Sequence, residues 1–373
     1  MQLQVLPSLA EVDPAQWDAL TEASPPLQHA YLQALQDSGA ATPATGWTPC
    51  HLTAWEDGRL VGALPVYEKA HSWGEFVFDW AWAEAYQRHG RAYYPKLVVA
   101  VPFTPVPGPR LLGHDPAVRH ALVAGLESLR AARQASSVHV LFPREADCAA
   151  FRDAGFGLRE GVQFHWHNAG YRDFDDFLAA LNHDKRKKIR QERRRVAEAG
   201  ITFEWRVGAD IREEDWRFFD RCYRHTYWEH HAHPHLNLDF FLRLGRTLGE
   251  RLCLILARRG GEPLAAALNL WGGGRAYGRY WGALEFVPGL HFETCYYQSI
   301  AFCIAHGLAA FEGGAQGEHK LARGLMPART VSLHRLADGE FAPAIQRFLE
   351  REAQGIQHYR EELEAHGPFR QGP

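Results

Sequence analysis

The chain carries one order of apolar and turn residues twice, and this repeat limits the folds it can adopt. In the first half, residues 51–67 form two apolar runs joined at Asp57-Gly58, and in the second half residues 252–270 form two runs joined at Gly260-Gly261. Asp-Gly and Gly-Gly between apolar runs are typical of β-hairpins, because tight hairpin turns favour residues that tolerate positive φ. The sequence therefore predicts one β-hairpin in each half.

The segments that follow the two hairpins also correspond. Each hairpin leads to an apolar or aromatic stretch ending in Val-Pro-Gly, at residues 106–108 and again at 287–289. A three-residue match can arise by chance in a chain with 34 Gly and 21 Pro, so the shared order of elements carries the argument. In each half a helix-like segment and then a short apolar strand follow, at residues 116–134 and 138–142 and at residues 292–307 and 308–311. The repeat predicts a duplicated α+β unit.

A strongly basic segment separates the two halves. Eight of the eleven residues from Lys185 to Arg195 are Lys or Arg. Asn182 or Asp184 can cap a helix here, and Gly200 can end it. We therefore expect a first domain, a basic linker helix and a second domain that closes with a C-terminal helix. The predicted bounds are 1–166, 167–200 and 201–373.

The composition is that of a globular protein without a general affinity for polyanions. The formal net charge is −3, so any binding of nucleic acid must be local. The six cysteines include no Cys-x-x-Cys pair, which argues against a zinc ribbon or a disulfide scaffold and fits a reducing compartment. The N-terminus has no signal-peptide pattern, and no apolar run approaches the roughly 18 residues of a membrane helix. These patterns predict a cytoplasmic protein without membrane insertion.

A glycine-rich stretch near the end of the second repeat concentrates ionisable side chains. Residues 312–324 hold four glycines together with Glu312, Glu318, His319, Lys320 and Arg323. Glycine lets a ligand approach the backbone closely, and strand ends are where α/β sheets carry their chemistry. The corresponding loop of the first half, residues 143–147, lacks this character. The pattern favours a functional site in the second domain over the alternative, a solvated surface turn.

Several stretches give the chain a resemblance to a known family. They are residues 94–112, 183–194, 278–282, 291–298 and 312–320. With the repeated order of elements, they resemble the FemAB-like branch of the GNAT acyltransferase superfamily, and within it the proteins called peptidoglycan biosynthesis or recognition proteins. The resemblance implies two GNAT-like domains with mixed β-sheets flanked by helices. It also implies transfer of an acyl or aminoacyl group from coenzyme A or aminoacyl-tRNA to a small-molecule or peptide amine.

The resemblance leaves the donor open. The acyl-CoA branch holds pyrophosphate with Arg/Gln-x-x-Gly-x-Gly/Ala before a helix N-terminus. The nearest positions here, residues 107–110 and 288–291, hold proline or bulky residues instead. We therefore expect no tightly bound cofactor, and a donor, acyl-CoA or aminoacyl-tRNA, that binds through basic side chains of the linker helix. The candidates are Lys187, Lys188 and Arg190; the alternative is a solvated linker whose charges pair with nearby acids.

Amide formation needs a base for the ammonium nucleophile, donors for the oxyanion and a proton for the leaving group. The candidate catalytic residues are Glu312, Glu318, His319 and Glu293. The candidate binding residues are Lys320, Arg323, Arg279, Tyr280, His291 and Tyr297. The resemblance also places a lysine after a glycine-rich turn, which favours Lys320. The alternatives are a surface salt-bridge cluster for the charged residues and core packing for the aromatic ones.

The sequence also bears on a metal site and on two non-enzymatic functions. Residues 225–235 contain five histidines and Glu229, but their spacing matches no His-Glu-x-x-His helix and Pro234 interrupts it. We predict no metal there. The same fold can also serve a non-catalytic binding protein for a cell-wall precursor or another amine-bearing ligand, or a nucleic-acid binder that uses the basic helix.

Overall fold

The computed structural model describes residues 1–315 and 317–370, and the chain divides into two compact units. The first comprises Met1–Gly161 and Arg329–His358, and the second comprises Val162–Ala328 and Tyr359–Pro373. These bounds differ from the predicted ones. Residues 329–358 lie in the first unit because Ser332–Leu336 pair with the strand at Ser137–Leu141. The basic segment lies within the second unit.

The strands are numbered in chain order. The first seven are β1 (Gln2–Leu6), β2 (Trp47–Pro49), β3 (His51–Glu56), β4 (Arg59–Leu64), β5 (Val66–Lys69), β6 (Lys96–Val99) and β7 (Ser137–Leu141). The remainder are β8 (Gly157–His167), β9 (Ile201–Val207), β10 (Leu252–Arg259), β11 (Glu262–Gly272), β12 (Arg275–Ala283), β13 (Ala310–Glu312) and β14 (Met326–Leu336).

The helices are numbered in the same way. The first six are α1 (Pro14–Asp18), α2 (His29–Asp37), α3 (Trp80–Arg88), α4 (Pro116–Ala132), α5 (Glu145–Asp153) and α6 (Phe174–Ala180). The others are α7 (His183–Glu198), α8 (Glu213–Glu229), α9 (Leu238–Leu248), α10 (Leu290–Phe292), α11 (Gln298–Ala305) and α12 (Ala342–Ala365). A π-helical turn, Glu293–Tyr297, joins α10 to α11, and a 3₁₀ turn covers Glu318–Arg323.

The two units share one strand order. In the second unit the order is β9-β10-β11-β12-β13-β8, and β12 and β13 are parallel while their neighbours pair antiparallel. In the first unit, β2 and β3 follow one another with a break at Cys50, and β4 and β5 with a break at Pro65. With these pieces joined, the order β1-β2/β3-β4/β5-β6-β7-β14 repeats that of the second unit, and β6 and β7 form the parallel pair. The predicted duplication of an α+β unit is confirmed.

The hairpins match in detail. The turn residues Asp57, Gly58, Gly260 and Gly261 all have positive φ, between 49° and 89°. Each hairpin also contains a register shift that leaves the third residue of its second strand, Val61 or Leu264, without a partner across the ladder. Both hairpins therefore have a β-bulge at the same position, although the residues of their turns do not by themselves require one.

Each sheet buries the apolar face of the helix that connects its parallel strands. In the first unit, Val118, Leu122 and Leu126 of α4 pack with Val138 and Val140 of β7. In the second unit, Tyr297 and Ile300 pack with Ile255 and Phe311. Burial of these side chains supplies the main stabilising term, about 25 cal/mol per Å² of apolar surface removed from water.

The basic helix α7 forms where the sequence predicts it. The Asn182 side chain accepts a hydrogen bond of 3.0 Å from the Lys185 amide, and Gly200 beyond the other end has φ of 73°. Ile189 and Val196 are buried, so the helix attaches to its unit through a narrow apolar stripe. Lys187, Lys188 and Arg190 are exposed.

Gly282 of β12 marks the closest approach of α8 to the sheet. A Cβ atom at this position would overlap the backbone oxygen of Cys222 in α8. Gly282→Ala is therefore expected to destabilise the protein by at least about 2 kcal/mol, because backbone cannot move aside as a side chain can. The urea concentration at the midpoint of unfolding measures the change.

Gly249→Ala in the same unit is the matched control. Gly249 has helical backbone angles, and a Cβ there would lie 3.6 Å or more from neighbouring atoms, which is ordinary van der Waals contact. The free energy of unfolding of this variant is expected to stay within about 0.5 kcal/mol of the parent value. Equal effects of the two substitutions would contradict the close packing of α8 on β12.

Candidate active site in the second unit

The parallel strands β12 and β13 separate soon after they begin to pair. Arg275, Ala276 and Tyr277 pair with Ala310, Phe311 and Glu312, and β13 ends there. A cavity of about 130 Å³ lies beside the divergence. Its lining comes from β11, β12, β13, α10, the π-helical turn and the glycine-rich loop: Ala267, Leu268, Asn269, Gly278, Arg279, Tyr280, Trp281, His291, Cys295, Tyr296, Phe311, Gly313 and Gly314.

A β-bulge turns side chains of β12 toward this cavity. Gly278 pairs with Asn269 and Tyr280 pairs with Leu268, so Arg279 is the extra residue of β12. A bulge bends a strand and re-aims its side chains, and such bulges are common beside active sites. The predicted binding residues Arg279 and Tyr280 both line the cavity, and Arg279 Nη2 donates to the Tyr280 hydroxyl at 3.3 Å.

The π-helical turn forms another wall. π-Helical turns are rare and often occur at functional sites. This one contributes Cys295 and Tyr296, while the predicted binding residue His291 lies just before it. The Tyr296 hydroxyl is hydrogen-bonded to Nε2 of His319 at 3.0 Å. The predicted catalytic residue His319 is not part of the lining, but this hydrogen bond places it directly behind Tyr296, at the edge of the cavity.

Lys320 lies against the glycine-rich wall. The side chain is buried, and its Nζ donates a 3.0 Å hydrogen bond to the carbonyl oxygen of Gly314, which lines the cavity. Burial lowers the pKa of Lys320 to about 8. At neutral pH it is a cation, but one that loses its proton far more readily than a surface lysine.

Two imidazoles near Lys320 are held in the neutral form. Burial, and then the charges of neighbouring basic groups, lower the pKa of His291 to about 4. The His319 side chain is exposed, but its partial burial and the nearby Arg323 and Lys320 charges also lower its pKa below the ordinary value. Since a neutral imidazole can accept a proton, the site combines proton acceptors with a cation at neutral pH.

Two ion pairs lie next to the walls of the cavity, one buried and one with a partly exposed arginine. Arg323 Nη2 donates to Glu192 of α7 at 2.8 Å, and the Tyr297 hydroxyl donates to the other oxygen of the same carboxylate. Glu293 accepts from Arg193 Nε at 3.1 Å and from Gln298 Nε2 at 2.8 Å. The predicted residues Arg323, Tyr297 and Glu293 therefore hold the walls of the site and do not line the cavity described above.

Two predicted carboxylates lie elsewhere. Glu312 is buried at the end of β13, where Arg275 Nη1 donates to it at 3.3 Å. Glu318 is exposed and accepts a 2.6 Å hydrogen bond from the Tyr359 hydroxyl. The lining of the described cavity includes neither. Adjacent positions in an irregular turn point in different directions, so the shared stretch of sequence did not bring all five ionisable groups together. Gln316, in the same loop, lies outside the described residues.

The first unit closes the corresponding position with its own chain. Beyond the parallel pairing of β6 with β7, the Gly108 amide donates to the Phe142 oxygen at 3.1 Å, and the Arg144 amide donates to the Gly108 oxygen at 2.9 Å. The fully buried Arg110 donates through Nε to the Leu141 oxygen at 2.8 Å. The chain at Gly108 therefore stays hydrogen-bonded beside the end of β7, whereas β12 and β13 of the second unit pair over three residues only.

The outward face of α7 carries a basic groove of about 570 Å³. His183, Arg186, Lys187, Arg190, Gln191 and Arg194 line it. Two of its arginines have long ion pairs with exposed acids: Arg190 with Asp175 at 3.8 Å and Arg194 with Glu198 at 3.7 Å. Exposed pairs of this kind contribute little energy, so an anionic ligand can displace them.

The structure also bears on metal-binding clusters and on membrane-spanning helices. Within residues 1–315 and 317–370, no group of His, Cys, Asp and Glu is arranged to hold a metal ion. His225 of the histidine-rich segment lies 3.8 Å from Glu229 on α8. Among the helices of the described part of the chain, none is both long and apolar enough to cross a membrane.

Sequence reasoning missed several residues of the site. Asn269, Cys295 and Tyr296 line the cavity. The sequence pattern predicts only that Asn269 lies in a strand and that Cys295 and Tyr296 lie in a helix. Glu192 sits in a run of basic residues, where it reads as a solvated counter-charge. Cys295 and Tyr296 belong to the stretch at 291–298, and Glu192 to the stretch at 183–194, that carried the family resemblance, whereas Asn269 belongs to none of these stretches.

Comparisons with solved structures agree with this fold. FemX matches with a TM-score of 0.58 and 12% identity, over 93% of this chain and 100% of FemX. A conserved protein of unknown function from Bacteroides thetaiotaomicron matches with a TM-score of 0.54 and 11% identity, over 89% of this chain and 99% of that one. L-PGS from Bacillus licheniformis matches with a TM-score of 0.52 and 11% identity, over 91% of this chain and 96% of that one. At these identities the likeness concerns the fold.

A search of curated protein sequences finds no match. The sequence pattern of one family, described as peptidoglycan biosynthesis/recognition, matches residues 8–371, nearly the whole chain. Together with the duplicated fold, this match identifies the chain as a member of the FemAB-like family of peptidoglycan biosynthesis and recognition proteins.

Proposed function

We propose that the protein is an N-acyltransferase that moves an acyl or aminoacyl group to an amine at the cavity between β12 and β13. The observation that carries the proposal is the juxtaposition of that cavity with a buried lysine of lowered pKa and two neutral imidazoles. Membership of the FemAB-like family supports a transferase of the peptidoglycan pathway.

The reaction forms a bond between the amine nitrogen and the acyl carbon, and breaks the bond from that carbon to the oxygen or sulfur of the donor. The attacking amine must lose a proton, and His319 is the proposed base because it is neutral at the edge of the cavity. The leaving oxygen or sulfur gains negative charge and needs a proton. Lys320 is the proposed cation that stabilises this charge, since a cation is most effective where water is excluded.

The donor is proposed to approach along α7. Gly289 precedes α10 with no glycine-rich loop around it, so backbone amides offer little to a pyrophosphate. The basic groove on α7 offers several guanidinium groups instead. This arrangement suits a donor with many phosphates, and aminoacyl-tRNA fits that description better than acyl-CoA does.

A donor screen tests the proposal. The purified protein is incubated with acyl-CoAs or with aminoacyl-tRNAs, together with peptides that carry the free amine of a cell-wall precursor. Mass spectrometry then detects an acceptor that has gained the acyl group. Protection of the protein by these ligands without any product would favour a binding protein on the same fold and would overturn the proposed reaction.

A further inference from the structure

Glu192 is the one acidic residue between Lys185 and Arg195, and it turns away from solvent. Its side chain is 13% exposed, compared with 68% for Glu198, which follows on the same helix. One carboxylate oxygen accepts from Arg323 Nη2 at 2.8 Å, and the other accepts from the Tyr297 hydroxyl. A single carboxylate thus joins α7 to two elements that shape the cavity.

Arg323 connects Glu192 to the 3₁₀ turn that contains Lys320. Its side chain is 4% exposed, and its guanidinium carbon lies 3.4 Å from the centre of the Phe292 ring. Through Nη1 it donates to the carbonyl oxygen of His319 at 2.7 Å. The guanidinium group therefore fixes the peptide unit that immediately precedes Lys320. A buried guanidinium requires a counter-charge, and Glu192 supplies it.

The π-helical turn is held at both ends by neighbouring residues of α7. The Tyr297 hydroxyl donates a hydrogen bond to Glu192, and Nε of Arg193 lies 3.1 Å from Oε2 of Glu293. Tyr296, between them, is bonded to His319. Displacement of Glu192 would therefore release the 3₁₀ turn and one end of the π-helical turn together.

We propose that Glu192 is a positioning residue, which sets the places of Lys320 and His319 at the cavity through Arg323 and Tyr297. The catalytic part of this inference rests on the proposed acyl transfer. Its structural part, the position of Lys320, does not. The two parts are tested separately, so that failure of one can be told from failure of the other.

The structural part is measured by chemical labelling of the Lys320 amine. The full-length protein is treated with a trace of acetic anhydride, and the acetylated fraction of Lys320 is followed by peptide mass spectrometry. Glu192→Gln keeps the size of the side chain but removes its charge. It is expected to raise the labelling rate of Lys320 by about fivefold or more, because a turn that loses its counter-charge opens to solvent. Glu198→Gln, on the same helix, is expected to leave the rate unchanged.

The catalytic part is measured by turnover with the donor that the screen identifies. Glu192→Gln is expected to lower kcat by about 10²-fold while KM changes by less than about threefold, because small displacements of reacting groups cost rate more than binding. Tyr297→Phe removes one of the two hydrogen bonds and is expected to give a smaller change in the same direction. If Glu192→Gln does not fold, Tyr297→Phe serves as the test variant in its place.

The outcomes are distinct. A change in both labelling and kcat for Glu192→Gln or Tyr297→Phe, with Glu198→Gln unaffected, supports the positioning role. A loss of kcat without a change in Lys320 labelling overturns it, and so does a change in labelling without a loss of kcat. If the parent protein transfers nothing from any donor, the proposed function fails, and the labelling comparison alone decides whether Glu192 sets the position of Lys320.

Discussion

Replacement of Lys320 by Met is expected to reduce kcat/KM for acyl transfer by about 10²–10³-fold, the usual cost of removing a charge-stabilising group from an enclosed site. Methionine keeps the length and volume of the side chain but provides no cation near the Gly314 carbonyl, where the ammonium group lies. Steady-state kinetics with the identified donor measure the loss. The midpoint of thermal unfolding shows whether the fold is retained.

The pH dependence distinguishes the proposed role of Lys320 from that of a base. With a pKa of about 8, Lys320 is protonated below pH 8 and neutral above it. A cation that stabilises the leaving group therefore predicts that kcat/KM falls as pH rises through 8. Lys320→Arg remains charged throughout this range, so it should be less active at pH 7 but lose little further activity up to pH 9.5. A parent rate that instead rises through pH 8 would assign Lys320 as the base.

Reversal of Lys187, Lys188 and Arg190 to Glu is expected to weaken donor binding by tenfold or more at low salt. All three side chains are exposed, and two of them line the basic groove of α7. If each of the two groove residues, Lys187 and Arg190, neutralises one phosphate, the slope of log affinity against log salt should flatten by about two units, because fewer counterions are released. Donor affinity measured at several salt concentrations gives both quantities.

A control variant with the same change in net charge shows whether weaker donor binding comes from lost contacts on α7 or from the altered net charge of the whole protein. Arg152, Arg347 and Arg351 are also exposed, and they lie in the first unit on α5 and α12. Their reversal to Glu should leave the salt slope unaltered. If both triple variants bind the donor as the parent does, α7 is a solvated helix and the donor approaches elsewhere.

The parts of the fold that sequence could predict are those with local causes. Asp57-Gly58 and Gly260-Gly261 adopt the positive φ that their turns require, and Asn182 caps the basic helix. The repeat of hairpin, strand, helix and strand followed from such local signals. The strand breaks at Cys50 and Pro65 did not disturb the order, since the pieces still pair as one strand.

The rest depends on contacts between residues that are distant in the chain. Most of β14 lies in the first unit because Ser332–Leu336 pair with β7, between 191 and 199 residues earlier in the chain, and no local pattern records that pairing. The cavity depends on where β13 stops pairing with β12, which is a property of two strands together. Glu192 could not be told from a solvated acid because its partners, Tyr297 and Arg323, lie 105 and 131 residues away. The glycine-rich stretch borders the candidate cavity through Gly313 and Gly314, whereas the carboxylates of Glu312 and Glu318 lie outside its lining.

The central claim is that an acyl group is transferred at the cavity between β12 and β13. The most direct measurement is the mass of an amine acceptor after incubation with donor and protein, for the parent and for Lys320→Met. We expect the acceptor to gain the mass of the acyl group with the parent protein, and to gain it about 10²-fold more slowly or slower with the variant. An acceptor that gains the acyl group equally fast with both proteins would contradict the account.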